Sequence, residues 1–454
     1  MRRFVWPLLV ISSVWVGSLA AETRPQYGGT LHIAVRETIT SLDPADNAQA
    51  DSFARRSITG MIFDTLVTRD EAGRVRGSLA EAWQAPTSGR TWHFRLRRNV
   101  KFHDGATLTP EIAAASLRAA NAAWTVSTDG DSLIVEAENE GQELLSELAL
   151  PRNAIQRKDS DKPSGTGPFH VVNWQPGKSL ALAAEENCWS GRPYLDGVEI
   201  EMGKSYRDQM VALDSGHAEL VEVAAEQTHR ASLEGRGLMT SPPMELLALV
   251  FTHDAKSPEE KGLREALAWS VERGSMRSVI LQGAGEPAGG VIPNWMSGYE
   301  FVFPTEGDLA RARRMREQVR SVPAWTLGYD SSDATARTLA ERVALNARDA
   351  GLALQVTATA PADLRLMRIP LGSLDPWIAL EEIGQLIGVT ATRGKEGSAD
   401  ELYKAEQSLL ATRRIIPLFH LPASYAMAKS VHDLSLRPDG GWRAADAWLG
   451  SRQP

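Results

Sequence analysis

Two tryptophans have neighbours that place them in loops, where an indole ring can stack on a ligand. Trp295 follows Pro293-Asn294, and Trp377 follows Asp375-Pro376. Binding residues concentrate on loops, and ligand pockets are rich in aromatic side chains. The alternative for both residues is ordinary packing, because large aromatic side chains dominate protein cores. Trp295 and Trp377 are therefore candidates for the lining of a binding cleft.

No motif in the sequence indicates covalent chemistry or metal binding. No Gly-x-Ser-x-Gly turn exposes a nucleophilic serine, and the nine histidines contain no His-Glu-x-x-His pattern. Residues 388–395 resemble a phosphate loop, but five residues instead of four separate the glycines, and Glu396 stands where the hydroxyl is needed. The sequence predicts no catalytic site, no metal site and no cofactor, so we expect a protein that is not an enzyme.

The elements that must position these residues alternate between strand and helix. Leu31, Ile33 and Val35 alternate in a strand, and a helix-like run covers residues 52–66. Thr109-Pro110 predicts a helix start, with a capping hydroxyl followed by proline in the first turn. Pro242-Pro243 marks a candidate domain boundary. These patterns predict a mixed α/β protein.

The second half holds one complete supersecondary unit. A strand over residues 324–329 leads to a helix over 335–350, and Gly351 precedes a second strand over 352–356. This order is typical of two parallel strands joined by a right-handed crossover.

Length and charge exclude several classes of protein. A chain of 454 residues exceeds what one core organises, so more than one domain is expected. The formal net charge is −8, and basic residues are interleaved with acids, which excludes nucleic acid as a partner. Cys188 is the only cysteine, so no internal disulfide forms.

The N-terminus predicts export. Arg2 and Arg3 precede an apolar stretch that ends in the small residues Ser18 and Ala20. This arrangement is typical of a secretory signal peptide over residues 1–21, although an uncleaved anchor is the alternative. No cysteine stands at the cleavage site, so we expect a periplasmic protein that is not a lipoprotein.

Several segments, taken in order, resemble the bacterial extracellular solute-binding proteins of family 5. They include Gly28-Gly29-Thr30-Leu31, Leu42-Asp43-Pro44, Leu79-Ala80-Glu81-Ala82-Trp83, Val100-Lys101-Phe102-His103-Asp104-Gly105, Gly165-Thr166-Gly167-Pro168-Phe169, Trp189-Ser190-Gly191-Arg192-Pro193-Tyr194-Leu195-Asp196, Leu263-Arg264-Glu265-Ala266-Leu267 and Ile416-Pro417-Leu418-Phe419-His420. The resemblance therefore extends from residue 28 to residue 420.

The resemblance implies a two-lobed clamshell of α/β type, the large three-domain variant of the type II periplasmic-binding-protein fold, with mixed sheets flanked by helices. Lobe I then comprises residues 22–45, 163–242 and 422–454, and lobe II comprises residues 243–421. Residues 46–162 form a subdomain inserted in lobe I. A solute bound between the lobes stabilises the closed state, which a membrane permease recognises.

Departures from the family affect the predicted site. Peptide-binding relatives place an acid for the ligand's amino terminus within a pattern Ala-Asp-Tyr-x-x-Pro. On residues 371–376 this pattern puts Gly372 at the position of the acid, followed by Ser373. Asp375 either replaces the acid or caps the following helix, and the cap is favoured because Pro376 suits a first helical position. Asn47 and Gln49 lie where relatives hold ligand backbone, or else in an exposed loop.

The resemblance implies a monomeric receptor that captures an oligopeptide or similar polar solute for an ABC importer. A nickel chelate, an opine or an oligosaccharide is the alternative within the fold, since the amine-binding acid is missing. The stretches between Leu117 and Gly165 and between Trp377 and Tyr403 are shorter than in typical members. A periplasmic sensor or scaffold that no longer serves import is therefore a further alternative.

Overall fold

The computed structural model describes residues 24–450 except 71, 85–89, 137–142, 159–162, 234–235, 301, 360, 392 and 394–396. The predicted signal peptide over residues 1–21 and its cleavage site lie outside the described residues. Among the residues described, no helix is both long enough and apolar enough to cross a membrane.

The chain opens with a strand and a helix, β1 (Thr30–Ala34) and α1 (Phe53–Ile62). Ser52 caps α1 by accepting a hydrogen bond from the backbone N of Arg55 at 3.2 Å. The helix ends at Ile62 instead of reaching residue 66, because Phe63 is extended and Asp64 forms a β-bridge with Ile155. A contact distant in sequence thus corrects the predicted helix end.

The next segment builds a small sheet with two helices. The elements are β2 (Val67–Arg69), β3 (Val75–Gly77), β4 (Ala80–Gln84), β5 (Thr91–Leu96), α2 (Pro110–Ala120), β6 (Thr125–Asp129), β7 (Ser132–Glu136) and α3 (Glu143–Leu148). β2 and β3 form a hairpin, and β4, β5, β7 and β6 pair in that order. The Thr109 cap of α2 is confirmed, since its hydroxyl accepts from the backbone N of Ile112.

A second group of strands follows a short 3-10 turn, Pro151–Asn153. Its elements are β8 (Phe169–Gln175), β9 (Ser179–Ala184), β10 (Gly197–Glu201), α4 (Tyr206–Asp214), β11 (Leu220–Glu222) and α5 (Thr228–Leu233). β1 lies between β10 and β11 and is parallel to both. The first strand of the chain is therefore central in this half of the sheet.

The following segment contains the two longest strands, β12 and β17. Its elements are β12 (Gly237–Phe251), α6 (Pro258–Ser270), α7 (Arg273–Val279), β13 (Glu286–Pro287), α8 (Asn294–Ser297), α9 (Leu309–Glu317), β14 (Ala324–Gly328), α10 (Ala334–Asp349), β15 (Ala353–Thr357), β16 (Leu364–Pro370), α11 (Pro376–Leu386), α12 (Ala399–Ala411) and β17 (Ile415–Met427). β14 and β15 are parallel and joined by α10, which confirms the predicted strand–helix–strand unit.

Short strands pair in the C-terminal segment. They are β18 (Val431–His432), β19 (Ser435–Leu436), β20 (Trp442–Arg443) and β21 (Trp448–Leu449). In the described part of the chain, the main sheet has the order β15-β14-β16-β12-β17-β11-β1-β10-β9-β8.

Buried hydrophobic residues form separate clusters in the predicted lobes and in the predicted insertion. Leu31, Phe169 and Tyr425 belong to a cluster in lobe I, and Phe94 belongs to one in the inserted subdomain. In lobe II, clusters around Phe251 and around Met244 occupy opposite faces of the sheet. α1 packs in the lobe I cluster, so the hydrophobic core of the insertion begins at Leu66.

Candidate ligand-binding cleft

The strands β12 and β17 run side by side from one lobe into the other. Pro243 pairs with Pro422 at the crossing, and the register shifts on both sides of Pro243. Proline has no backbone N–H, so neither residue donates a ladder hydrogen bond there. The predicted boundary at Pro242-Pro243 thus falls within a continuous strand, at the point where its pairing is irregular.

The Ser241 side chain bridges this irregularity. Its hydroxyl accepts from the backbone N of Ala423 at 3.0 Å and donates to the carbonyl oxygen of Pro242 at 2.6 Å. A hydroxyl rotates more freely than a backbone carbonyl, so it keeps a bond over a wider range of strand geometries. This pairing is suited to a hinge between the lobes.

A cavity of about 730 Å³ opens between the lobes. The end of α1 and the hairpin β2–β3 form one wall, the C-terminal segment 435–445 forms a second, and Gly372, Ser373 and Leu374 of lobe II face them. This volume is within the range of pockets that enclose small-molecule ligands.

The walls of the cavity carry both hydrogen-bond donors and hydrogen-bond acceptors. Arg69 donates to the carbonyl oxygen of Gly73 at 2.6 Å and to the Ser146 hydroxyl at 2.7 Å, rather than to a carboxylate. Trp442 is buried, and its Nε1 has no acceptor among the described residues. Buried donors normally have partners, so an acceptor atom of a bound solute or a water is expected there.

Asp64 lies in the same wall and is held by two donors. Its carboxylate accepts from Trp189 Nε1 at 2.8 Å and from the Thr166 hydroxyl at 2.9 Å. Burial raises the pKa of Asp64, and the two hydrogen bonds oppose that shift. Asp64 therefore orients Trp189 at the cavity.

Two of the predicted site residues, Gly372 and Ser373, line this cavity. Ser373 is buried, and its hydroxyl accepts from the backbone N of Asp375 at 3.0 Å. Asp375 in turn accepts from the backbone N of Trp377 at 3.1 Å, which makes it the N-cap of α11. Asp375 therefore has the geometry of a helix cap, the role that the sequence favours for it.

The remaining predicted residues lie outside the cavity. Trp377 is buried in the lobe II core, and its Nε1 donates to the carbonyl oxygen of Gly397 at 3.1 Å. Trp295 is 46% exposed and donates to the carbonyl oxygen of Pro243 at 3.2 Å, close to the hinge. The Gln49 side chain accepts twice from Thr40 at 2.8 Å, and Asn47 is exposed.

An ion pair between the lobes was not visible in the sequence. A Cβ on Gly372 would overlap with the carboxylate of Glu382, which is on α11. Glu382 accepts from Arg152, and the same guanidinium contacts Glu147 at 2.8 Å. Burial raises the pKa of Glu382, and Arg152 opposes that shift. No spacing rule links Arg152 to Glu382, which are 230 positions apart.

A second, smaller cavity of about 60 Å³ lies beside the hinge. Arg368 of lobe II pairs there with Glu245 at 2.8 Å and with Asp333 at 2.7 Å. Arg36 of lobe I reaches Asp330 of lobe II at 3.3 Å. Charged pairs thus connect the lobes near the hinge as well as at the large cavity.

Unpartnered polar atoms also border the small cavity. Within the described ranges, neither the Ser424 hydroxyl nor Nη2 of Arg368 has a hydrogen-bond partner. Such groups normally bind water or a ligand. Among the same residues, no cluster of three or more His, Cys, Asp or Glu residues is arranged to hold a metal ion.

Sequence comparison identifies the family. Residues 74–379 match the profile described as bacterial extracellular solute-binding proteins, family 5 Middle. The chain belongs to this family. The chain resembles the probable D,D-dipeptide-binding periplasmic protein DdpA of Escherichia coli K12, with 22% identity over 321 residues. The matched region covers 64% of this chain and 62% of DdpA.

Solved structures of other binding proteins have the same fold. NikA from Staphylococcus aureus, in complex with Ni(L-His)2, superimposes with a TM-score of 0.79 at 16% identity, covering 93% of this chain and 100% of NikA. AgaA from A. tumefaciens R10, in complex with agropinic acid, has a TM-score of 0.79 at 18% identity, with 94% and 99% covered. The predicted two-lobed α/β clamshell is thereby confirmed.

Proposed function

We propose that the chain is the solute-binding component of an ABC importer. It captures an oligopeptide or a similar polar solute between its lobes and delivers the solute to a membrane permease. The observation that carries this proposal is the large cavity between the lobes, which are connected by strands whose pairing is irregular at Pro243 and Pro422. Membership of a solute-binding family supports it.

Binding drives closure only through contacts that exist in the closed state alone. Gly372 and Ser373 approach the solute from lobe II, while Arg69 and Trp442 approach it from the other side of the cavity. A solute that touches both sides therefore stabilises the closed arrangement. The permease then recognises the closed form, and no bond of the solute is made or broken.

Location and assembly follow from the same proposal. The receptor is exported to the periplasm by a cleavable signal peptide, is not a lipoprotein and acts as a monomer. DdpA, which it resembles, is named as a periplasmic protein. We also propose the domain limits given above, with α1 contributing to the core of lobe I.

A second candidate solute class is a nickel chelate, an opine or an oligosaccharide. What favours it is the position of Gly372, which supplies no carboxylate, together with the engagement of Glu382 by Arg152. The structural neighbours NikA and AgaA were solved with Ni(L-His)2 and agropinic acid.

Thermal melts against a panel of solutes test the proposal. The panel contains di- to pentapeptides, nickel–histidine, opines and oligosaccharides. A ligand that binds only the native state raises the melting temperature. A selective rise with one class supports the receptor and identifies its solute. The absence of any rise would favour the sensor or scaffold alternative.

A further inference from the structure

One guanidinium connects the inserted subdomain to lobe II at the large cavity. Arg152 belongs to the 3-10 turn Pro151–Asn153, and Glu382 belongs to α11. Arg152 donates to Glu382 through Nη1 and to Glu147 of its own subdomain through Nη2, at 3.0 and 2.8 Å. The side chain therefore bridges a carboxylate on each side of the cleft.

The pair lies directly behind residues that line the cavity. Pro151, which precedes Arg152, lines the cavity from one side, and Gly372 lines it from the other. The Glu382 carboxylate occupies the space that a side chain at position 372 would enter. Only the absence of a Cβ at Gly372 allows Glu382 to reach this position, so the carboxylate is separated from the cavity by Gly372 alone.

The negative charge of Glu382 is compensated only while Arg152 is present. Burial lowers the pKa of Arg152, but the carboxylates of Glu147 and Glu382 more than offset this effect and raise it. A partly buried carboxylate that loses its cation pays a desolvation cost without compensation. Without Arg152, Glu382 would therefore either take up a proton or bind another cation in the same place.

We propose that Arg152 is a specificity-determining residue that fills a cation subsite of the cleft. Its guanidinium occupies the position in which an ammonium or guanidinium group of a solute would contact Glu382. The native cleft therefore excludes a cationic group there and accepts solutes that are neutral or anionic at that end. This inference on solute charge rests on the proposed function, whereas the subsite itself does not.

Chemical rescue tests the subsite without knowledge of the natural solute. The full chain carrying Arg152→Ala is melted with and without n-propylguanidinium chloride at about 0.1 M, against sodium chloride at equal ionic strength. We expect the cation to raise the melting temperature of R152A by about 1–2 °C relative to its effect on the wild type. The double variant R152A/E382Q is expected to gain less, because only Glu147 is left to hold the cation.

Two further variants complete the design. Arg337→Ala removes an exposed arginine that pairs with Glu341 on α10, and it is the matched control without a cavity. If R152A does not fold, Arg152→Ser replaces it, because its small polar side chain also leaves the guanidinium space empty. A rescue that is absent from the variant that folds, or equally large in R152A/E382Q or R337A, would overturn the proposal. A failure to find any natural solute would instead count against the proposed function.

Discussion

Pro243 and Pro422 stand opposite each other in the two strands that connect the lobes. Neither residue has a backbone N–H, so the ladder is interrupted on both strands at the same level. The hydroxyl of Ser241 maintains the connection through Ala423. The two lobes are thus joined at a point where the connecting strands form few backbone hydrogen bonds with each other.

The first prediction concerns this hinge. Replacing both Pro243 and Pro422 with alanine supplies two donors and allows more regular pairing, so the lobes should open less. Spin labels are attached to cysteines that replace the exposed residues Val211 and Val279, in a Cys188→Ser background. Double electron–electron resonance then measures the distance between the lobes. We expect a narrower distance distribution in the double variant than in the unmutated hinge.

The control for the hinge is Pro258→Ala, which changes a proline in the first turn of α6 and leaves the ladder untouched. It should reproduce the distribution of the unmutated hinge. If the double variant at the hinge also reproduces it, the two prolines do not govern lobe opening.

The second prediction concerns the space next to Gly372. In Gly372→Ala, the new Cβ overlaps with the Glu382 carboxylate, which must shift and thereby disturbs its ion pair with Arg152. Forcing an extra methyl into a packed site costs about 1–3 kcal/mol. We expect a corresponding loss in the free energy of unfolding, measured in urea.

Gly274→Ala is the matched control, because nothing lies near its added Cβ and the residue is inside helix α7. Alanine is favoured over glycine in a helix, but Gly274 lies in the first turn, so this variant should gain at most about 0.5 kcal/mol. Equal effects of the two substitutions would show that the space at Gly372 is not restricted.

The third prediction concerns the buried Glu406 of lobe II. It accepts from the backbone N of Ile292 at 3.1 Å and from the Tyr299 hydroxyl at 2.6 Å. Burial raises its pKa from 4.5 to about 7 against these hydrogen bonds. The folded state therefore keeps a proton that the unfolded chain releases, and its contribution to stability is lost as the pH rises through 7.

One pKa unit corresponds to about 1.4 kcal/mol, so the folded state loses about 3 kcal/mol of stability as the pH rises from 4.5 to about 7. Glu406→Gln cannot ionise, and its free energy of unfolding relative to the wild type should rise by that amount between acid and neutral pH. Urea melts over this pH range measure the difference. Glu341→Gln, at an exposed position, should show no such trend, and a flat difference for E406Q would contradict the assignment.

Local patterns in the sequence were sufficient for much of the fold. The cap at Thr109 and the unit from β14 to β15 depend on neighbouring residues, and both were predictable. The end of α1 was not, since Asp64 pairs with Ile155 far along the chain. The burial of Trp377 depends likewise on Gly397, which its ring nitrogen contacts in the folded protein.

The site was predictable only where a motif marks it. Gly372 and Ser373 were located by the family pattern, and both line the cavity. Arg152 and Glu382 are joined only by the fold, which brings the inserted subdomain against lobe II. Selectivity of the cleft depends on such pairs, and therefore no local pattern predicts it.

The central claim is that a solute occupies the cavity between the lobes. Native mass spectrometry of the chain, isolated from its own cells without denaturation, tests this claim most directly. Ala445 lines the cavity, so Ala445→Trp places a large ring in the solute space, while Ala115→Trp adds the same ring to an exposed position on α2. We predict a bound mass in the wild type and in A115W that is reduced or absent in A445W. A wild type without bound mass, or a bound mass unchanged in A445W, would contradict the account.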